Sequence, residues 1–243
     1  MRMLTFAKRT LKEILRDPLT LVFGLAFPGA LILLLSAIQA NVPVSLFEID
    51  RLAPAMTVFG LSFMTLFSAS LIARDRESAF LTRLYATPMK AADFILGYTL
   101  PILPVAVAQS AFCYLIGLML GMKLTINILY GILLVIPISL FFIGLGLLFG
   151  SVLSQKQVGG ICGALLTNLT AWLSGIWFDL ALVGGAFQTI ANVLPFYHGV
   201  QMEQAVFAGD FAHVWPHLIW VSGYGIAVIL LAVAAFLRQK KKG

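Results

Sequence analysis

The chain has 243 residues, 60% of them hydrophobic and 11% charged, with a mean hydropathy of +0.99. That is far more apolar than a soluble domain of this length and points to a single polytopic membrane domain. A formal charge of +6 would otherwise suggest nucleic acid, but the basic residues cluster beside apolar runs, as membrane topology requires, so no nucleic-acid partner is expected.

Residues 1–17 form the first element. Arg2, Lys8, Arg9, Lys12 and Arg16 fall on one side of a helix and Leu4, Leu11, Ile14 and Leu15 can share the other, which predicts an amphipathic helix lying in the membrane interface. Asp17-Pro18 breaks its direction. A first span over 19–40 follows, with Pro28-Gly29 placed to kink it, and then a short polar loop, Asn41 to Arg51, carrying Glu48 and Asp50. The second span is the charge-free run 52–73.

Between that run and the next lies Arg74 to Asp93, a heavily charged stretch that must be an aqueous loop, because each flanking run is long enough to cross a ~30 Å hydrocarbon layer. Phe80, Leu81, Leu84 and Tyr85 share one face of a short helix in it, with Asp75 and Glu77 near its N-terminal end and Pro88 as its stop. An apolar stripe on such a helix suits docking to a partner; a helix resting on lipid headgroups is the simpler alternative.

The third span, 94–122, contains Pro101 and Pro104 and is expected to be bent or broken. Lys123 marks an external turn. The fourth span is 125–150, with Pro137 and glycines 144, 146 and 150 inside it; Lys156 marks the next turn, and the fifth span is 157–178, closed by Asp179. Residues 180–202 are again free of charge, but Gly184-Gly185, Gln188, Asn192, Pro195 and His198 are a polar, helix-breaking load for a lipid-facing span. A crossing there would also send Arg238, Lys240, Lys241 and Lys242 outside, against the positive-inside rule. Residues 179–216 are therefore expected to form an external or partly re-entrant hairpin, with Trp215 and Trp220 near the interface, and 217–237 to form the sixth span. With both termini, the 74–93 loop and the 151–156 turn inside, all of the sixteen basic residues but Arg51 and Lys123 are cytoplasmic. The acidic residues split evenly, with Glu48, Asp50, Asp179, Glu203 and Asp210 outside.

The cores of the six predicted spans contain no Asp, Glu, Lys, Arg or His, the groups that an ion-gradient transporter places within the membrane. No G-x-x-x-x-G-K-[S/T] phosphate loop is present either, so energy for transport would come from another polypeptide. His213 and His217 have the i, i+4 spacing of a metal pair, but Pro216 lies between them and no further ligand sits at a matching offset, so no metal is expected. Cys113 and Cys162 lie within charge-free runs and read as buried apolar groups rather than a disulfide. Gly117/Gly121, Gly146/Gly150 and Gly159/Gly163 have the spacing of close helix packing, within a bundle or between subunits.

The stretch Arg74 to Gly97, RDRESAFLTRLYATPMKAADFILG, resembles the cytoplasmic signature of the ABC-2 type permeases. Glu77, Leu81, Arg83, Leu84, Ala86, Thr87, Pro88 and Gly97 match it, while Ala79-Phe80 replace the usual Gly-Thr and Thr82 the usual glutamate. S-G-I-W-F and L-P-F-Y-H after the fifth span are similar to further family motifs. The resemblance implies an all-α membrane protein of six spans with an N-terminal interfacial helix, a cytoplasmic coupling helix between spans two and three, and an external re-entrant hairpin between spans five and six. It implies two paired permease subunits, identical or close paralogues, in the cell membrane. Each would dock a soluble ATP-binding subunit that holds ATP and Mg, this chain binding no cofactor itself. Glu77, Phe80, Leu81, Arg83, Leu84, Tyr85, Thr87 and Pro88 would be the coupling residues, and cargo would pass along spans one, two and five. Walls without charge suit a hydrophobic or amphiphilic cargo such as a drug, antibiotic or peptide. Export of a lipid-linked glycan is the alternative within the family, and a membrane enzyme or sensor the alternative outside it.

Overall fold

A computed structural model of the chain describes residues 2–78, 80, 81 and 90–240; within these residues the regular structure is entirely helical. Five stretches are long and apolar enough to cross a membrane: Val22–Gln39, Ile49–Glu77, Ala91–Met119, Asn127–Val152 and Phe211–Gln239. In chain order the helices are α1 (Arg2–Leu15), α2 (Pro18–Leu21), α3 (Phe27–Gln39), α4 (Ile49–Glu77), α5 (Ala91–Met119), α6 (Asn127–Val152), α7 (Gln155–Val158), α8 (Leu166–Leu173), α9 (Leu180–Val183), α10 (Gly185–Val193), α11 (Pro195–Ala208) and α12 (Phe211–Lys240).

Helix α4 is the axis of the bundle. Its most apolar window is 89% buried, against 22% for α12, and α3, α5, α6 and α11 all pack on it. The close approach of α6 depends on small residues. A Cβ on Gly146 would collide with Ser68 Oγ, and one on Gly150 would stand 2.7 Å from the Ala69 carbonyl. Thr65 Oγ1 then donates to the Phe142 carbonyl at 2.8 Å, the kind of small-residue and hydroxyl contact that holds helices together in lipid. The other two pairs are close-packed at one position only: a Cβ on Gly117 would stand 2.9 Å from Ala53 Cβ on α4. Gly121 lies beyond α5 in a turn at φ +99°, and a Cβ on Gly159 would meet open space.

Several elements differ from the sequence reading. Helix α1 docks through Phe6, Ala7, Thr10 and Ile14, while Leu4 and Leu15 are exposed; the buried set follows α5, whose Gly97 leaves room for the Phe6 ring. The first span is interrupted by a π turn at Val22–Ala26, with the Phe27 N–H reaching back to the Val22 carbonyl. Pro28 in the next turn cannot donate to the Gly24 carbonyl and its ring crowds it, so the ladder widens one residue earlier. Helix α5 instead runs unbroken through Pro101 and Pro104, its neighbours holding it in register. Helix α4 extends at both ends beyond 52–73 and takes in Asp50, Arg51, Asp75 and Glu77. Asp75 and Glu77 therefore end α4 rather than begin a coupling helix.

The expected fifth span is divided into α7, a second π turn at Gly159–Leu165, and α8, and its helical part ends at Leu173 rather than Phe178. The chain then passes through α9 and α10 into α11. Helix α11 lies inside the bundle: Phe196 packs 6.1 Å from both Phe141 and Phe142, while the Phe207 carbonyl at its other end accepts from Asn127 Nδ2. Those partners are fifteen residues apart on α6, so α11 reaches roughly 22 Å along it. The Val193 carbonyl, where α10 ends, accepts from Trp220 Nε1 at 3.0 Å and Tyr224 Oη at 2.9 Å, which satisfies backbone exposed beside a span. Helix α12 starts at Phe211, six residues before the expected 217, and includes His213, Trp215 and Pro216.

Chain ends and turns meet at one end of the bundle. Arg76 donates to the Ser151 and Leu153 carbonyls, and Gln239 Nε2 to the Ser151 carbonyl, so the ends of α4, α6 and α12 lie together, beside α1. At the opposite end Arg51 and Lys123 line a polar cleft with Glu48, Asp50 and Asp210.

Candidate functional site

The best-formed apolar site is a groove of about 710 Å3 on one flank of α4. The first span supplies Phe23, Phe27 and Leu31; α4 supplies Phe59 and Phe63; the stretch from Gly163 through α8 to the following turn supplies Thr167, Ala171, Trp172, Trp177 and Phe178 among others. Phe59 and Phe63, one turn apart, meet edge to face at 5.9 Å; Phe27 meets Phe63 at 5.6 Å and Trp177 meets Phe59 at 6.3 Å. These edge-to-face contacts fix the rings that line the wall. Among the described residues no charged side chain lines it, and Thr167 and Asn168 supply its hydroxyl and amide groups. Thr167 Oγ1 donates to the Cys162 carbonyl and Asn168 Nδ2 to the Ala164 carbonyl, so both are partly engaged by the irregular backbone beside them. The groove offers dispersion and ring contacts, and nothing for acid–base or nucleophilic chemistry. Its walls come from the first span, α4 and the irregular stretch 163–178.

Of the predicted coupling residues, Glu77 ends α4 and Phe80 and Leu81 follow shortly after it. Glu77 is exposed and accepts the Gln155 N–H at 2.9 Å, bracing α4 against α7. Phe80 lies 6.2 Å from Phe6 with the Arg9 guanidinium 4.1 Å above its ring, and Leu81 is 1% exposed. Phe80 and Leu81 are thus packed on this chain's own helices, α1 among them, instead of standing free for a partner. Arg83, Leu84, Tyr85, Thr87 and Pro88 lie outside the described residues.

What sequence reasoning missed is the ionic joint beside them. Arg9 donates from Nη1 and Nη2 to the two oxygens of Asp75, at 2.6 and 2.7 Å, and Tyr98 Oη adds a 2.6 Å bond to Asp75 Oδ2. Glu13 pairs with Arg74 at 2.5 Å and with Arg9 at 3.0 Å. The hydrogen bonds to Asp75, followed by its negative charge and that of Glu13, hold the Arg9 guanidinium even more firmly protonated than usual. Arg9/Glu13 is legible as an i, i+4 pair, but Asp75 lies 66 residues from Arg9. Alongside, Lys8, Lys12 and Arg16 line an open polar cleft of about 980 Å3.

The histidines separate. His213 Nδ1 pairs with Asp210 at 2.6 Å, whereas His217 turns to His198, their Nδ1 atoms 2.7 Å apart. His198 Nε2 lies 2.8 Å from the Asn192 carbonyl and must donate to it, so its Nδ1 accepts from His217 Nδ1–H. Burial shifts the His198 imidazole toward its neutral form, in keeping with that arrangement. Among the described residues no group of three potential ligands could hold a metal. Glu203, expected on the outer side in the external or partly re-entrant hairpin, is fully buried on α11, where its Oε2 accepts from Tyr114 Oη at 2.8 Å.

Five long apolar helices, four of them around the buried fifth, α4, with an aromatic groove open on one flank, define a polytopic helical membrane protein whose best-formed site suits apolar molecules. The ABC-2 type transporter family model matches residues 1–207 of this chain. The chain belongs to that family and is the membrane permease of an ABC transporter.

Proposed function

We propose that this permease exports a hydrophobic or amphiphilic molecule, such as a drug, antibiotic or peptide, across the cell membrane by alternating access. A separate soluble subunit that binds ATP and Mg would drive it. The observation that carries this reading is the charge-free aromatic groove between the first span, α4 and α8. Two copies of the chain, or this chain and a close paralogue, would set two such grooves face to face around one path; Phe23 and Trp172 at the groove mouth are 43% and 56% exposed in a single copy. In this reading Gln155–Leu173 forms a sixth crossing, both termini are cytoplasmic, and 174–210 is an inserted hairpin closing the outer end. The shared location of the ends of α4, α6 and α12 supports that layout.

The ATPase would grip the 74–93 loop, with Glu77, Arg83, Leu84, Tyr85, Thr87 and Pro88 as its contacts. Phe80 and Leu81 would act from inside, seating the loop on α1. Motion of the loop would pass into the bundle through the Arg9–Asp75–Tyr98 joint, which connects α1, α4 and α5.

Two comparisons test the reading in proteoliposomes holding the permease and its ATPase. Leu84→Asp should abolish retention of the ATPase while leaving the permease folded; retention at the wild-type level rules out the coupling loop. Phe59→Ala and Trp177→Ala should keep the ATPase bound but weaken stimulation of ATP hydrolysis by a neutral lipophilic dye. An apparent affinity about three- to tenfold lower is expected, since one aromatic contact contributes ~0.5–1.5 kcal/mol. Stimulation unchanged in both variants rules out the groove as the cargo path.

A further inference from the structure

Helix α11 has fourteen residues, too few to cross a bilayer, yet it is packed among α4, α6 and α12 and reaches α5 through one polar contact. That contact is Glu203. The residue is 0% exposed; Oε2 accepts the Tyr114 hydroxyl at 2.8 Å, and Oε1 has no hydrogen-bond partner. The seam around it is closed. A Cβ on Gly131 of α6 would stand 2.5 Å from Tyr114 Oη and 3.1 Å from Glu203 Oε2, so α6 closes on the Oε2 side, and Oε1 is buried from solvent.

Nor does a cation reach it from the neighbouring helices. Cys113 beside Tyr114 on α5 takes its hydrogen bond from Gln109; His217 on α12 is engaged with His198; at the outer end of α4, Asp50 and Arg51 line the polar cleft, where the Arg51 carbonyl accepts from Gln204. Among the described residues, Asp75 and Glu203 are the only fully buried carboxylate side chains, and only Asp75 has a cation beside it.

We propose that Glu203 is a proton-binding site that latches α11 into the bundle: the neutral acid docks against Tyr114, and ionisation releases the helix. A bare carboxylate cannot remain in an apolar seam with one hydrogen bond, whereas a carboxylic acid can. Burial raises the carboxyl from its ordinary 4.5 to about 8, with the Tyr114 hydrogen bond acting weakly the other way. The sign follows from a docked value above the undocked one. Docking is unhindered below about 4.5, weakens by about tenfold per pH unit above that, and levels off above about 8. Movement of α11 away from α5 would therefore release a proton, and closure would take one up. The inference is independent of the cargo and of the ATPase.

The test uses the full-length permease in lipid vesicles. Infrared spectra titrated with pH should contain a carboxylic-acid C=O band that persists at neutral pH, disappears with a midpoint near 8, and is absent in Glu203→Gln. Hydrogen exchange of α11, taken relative to α6 at each pH, should accelerate about a hundredfold between pH 6 and 8 in wild type and stay constant in Glu203→Gln, which cannot ionise. If Glu203→Gln does not fold, Tyr114→Phe should shift both the band and the midpoint. A Glu203 carboxyl already ionised at pH 6, or the same exchange profile in wild type and Glu203→Gln, overturns the proposal.

Discussion

Two carboxylates are buried in this permease, and they are held in opposite ways. Asp75, at the basic end, receives both nitrogens of Arg9 and the hydroxyl of Tyr98. Glu203, toward the other end, receives one hydroxyl and has a bare second oxygen. The first arrangement surrounds a carboxylate with a cation and a hydroxyl; the second accommodates a group that is neutral when docked. The difference teaches that burial of an acid says little until its partners are counted: the same low-dielectric surroundings that strengthen the Arg9 pair exclude the Glu203 anion.

The comparison can be broken or sharpened by substitution. The largest effect is expected for Arg9→Met, which leaves Asp75 buried without a cation. Losing one partner of a buried pair costs about 3–5 kcal/mol, and because Arg9 is 37% exposed we expect about 2–3, read as a lower unfolding temperature in lipid vesicles. Adding Asp75→Asn to Arg9→Met should restore about half or more of that loss, since a neutral amide is far easier to bury than an orphaned carboxylate. If the double variant is no better than Arg9→Met, the pair is not what holds α1.

Tyr114→Phe should cost less, about 1–2 kcal/mol, because it removes one hydrogen bond from a group that is mostly uncharged. It should also move the pH midpoint of the Glu203 carboxyl upward, since that hydrogen bond lowers the value, whereas Arg9→Met should leave the midpoint where it is. Tyr98→Phe is expected to be the mildest, at about 1 kcal/mol or less, because the two Arg9 bonds remain on Asp75. A Tyr98→Phe loss larger than that of Tyr114→Phe would reverse the ranking and show that Asp75, too, is poorly satisfied.

Much of the architecture was legible from residue order. Charge-free runs located the five long crossings, Arg51 and Lys123 fell together at the end away from the other cations, and Arg74 to Gly97 carried the family resemblance. The errors are equally specific. Asp75 and Glu77 read as the start of a helix because a charged stretch resembles a loop, but α4 continues through them once Arg9 and Gln155 supply partners. Glu203 read as an external acid because helix-breaking residues and the positive-inside rule placed 179–216 in an external or partly re-entrant hairpin, whereas α11 buries it in the bundle. Phe80 and Leu81 read as an exposed stripe, although Phe6 and Arg9 of the chain's own α1 stand against the Phe80 ring and Leu81 is buried.

Hydrophobic length and charge asymmetry are local, additive properties, and so the sequence by itself determined the membrane class, the placement of the long helices and the family. Which side chains meet across 66 or 89 residues is not additive. It depends on where α1 and α11 dock and on small residues such as Gly97, Gly131 and Gly146 that allow them or their neighbours to approach. Only the tertiary structure could decide that one buried acid has an arginine and the other a single tyrosine, because the stability of a charge depends on the groups within a few ångströms of it and not on its neighbours in the chain.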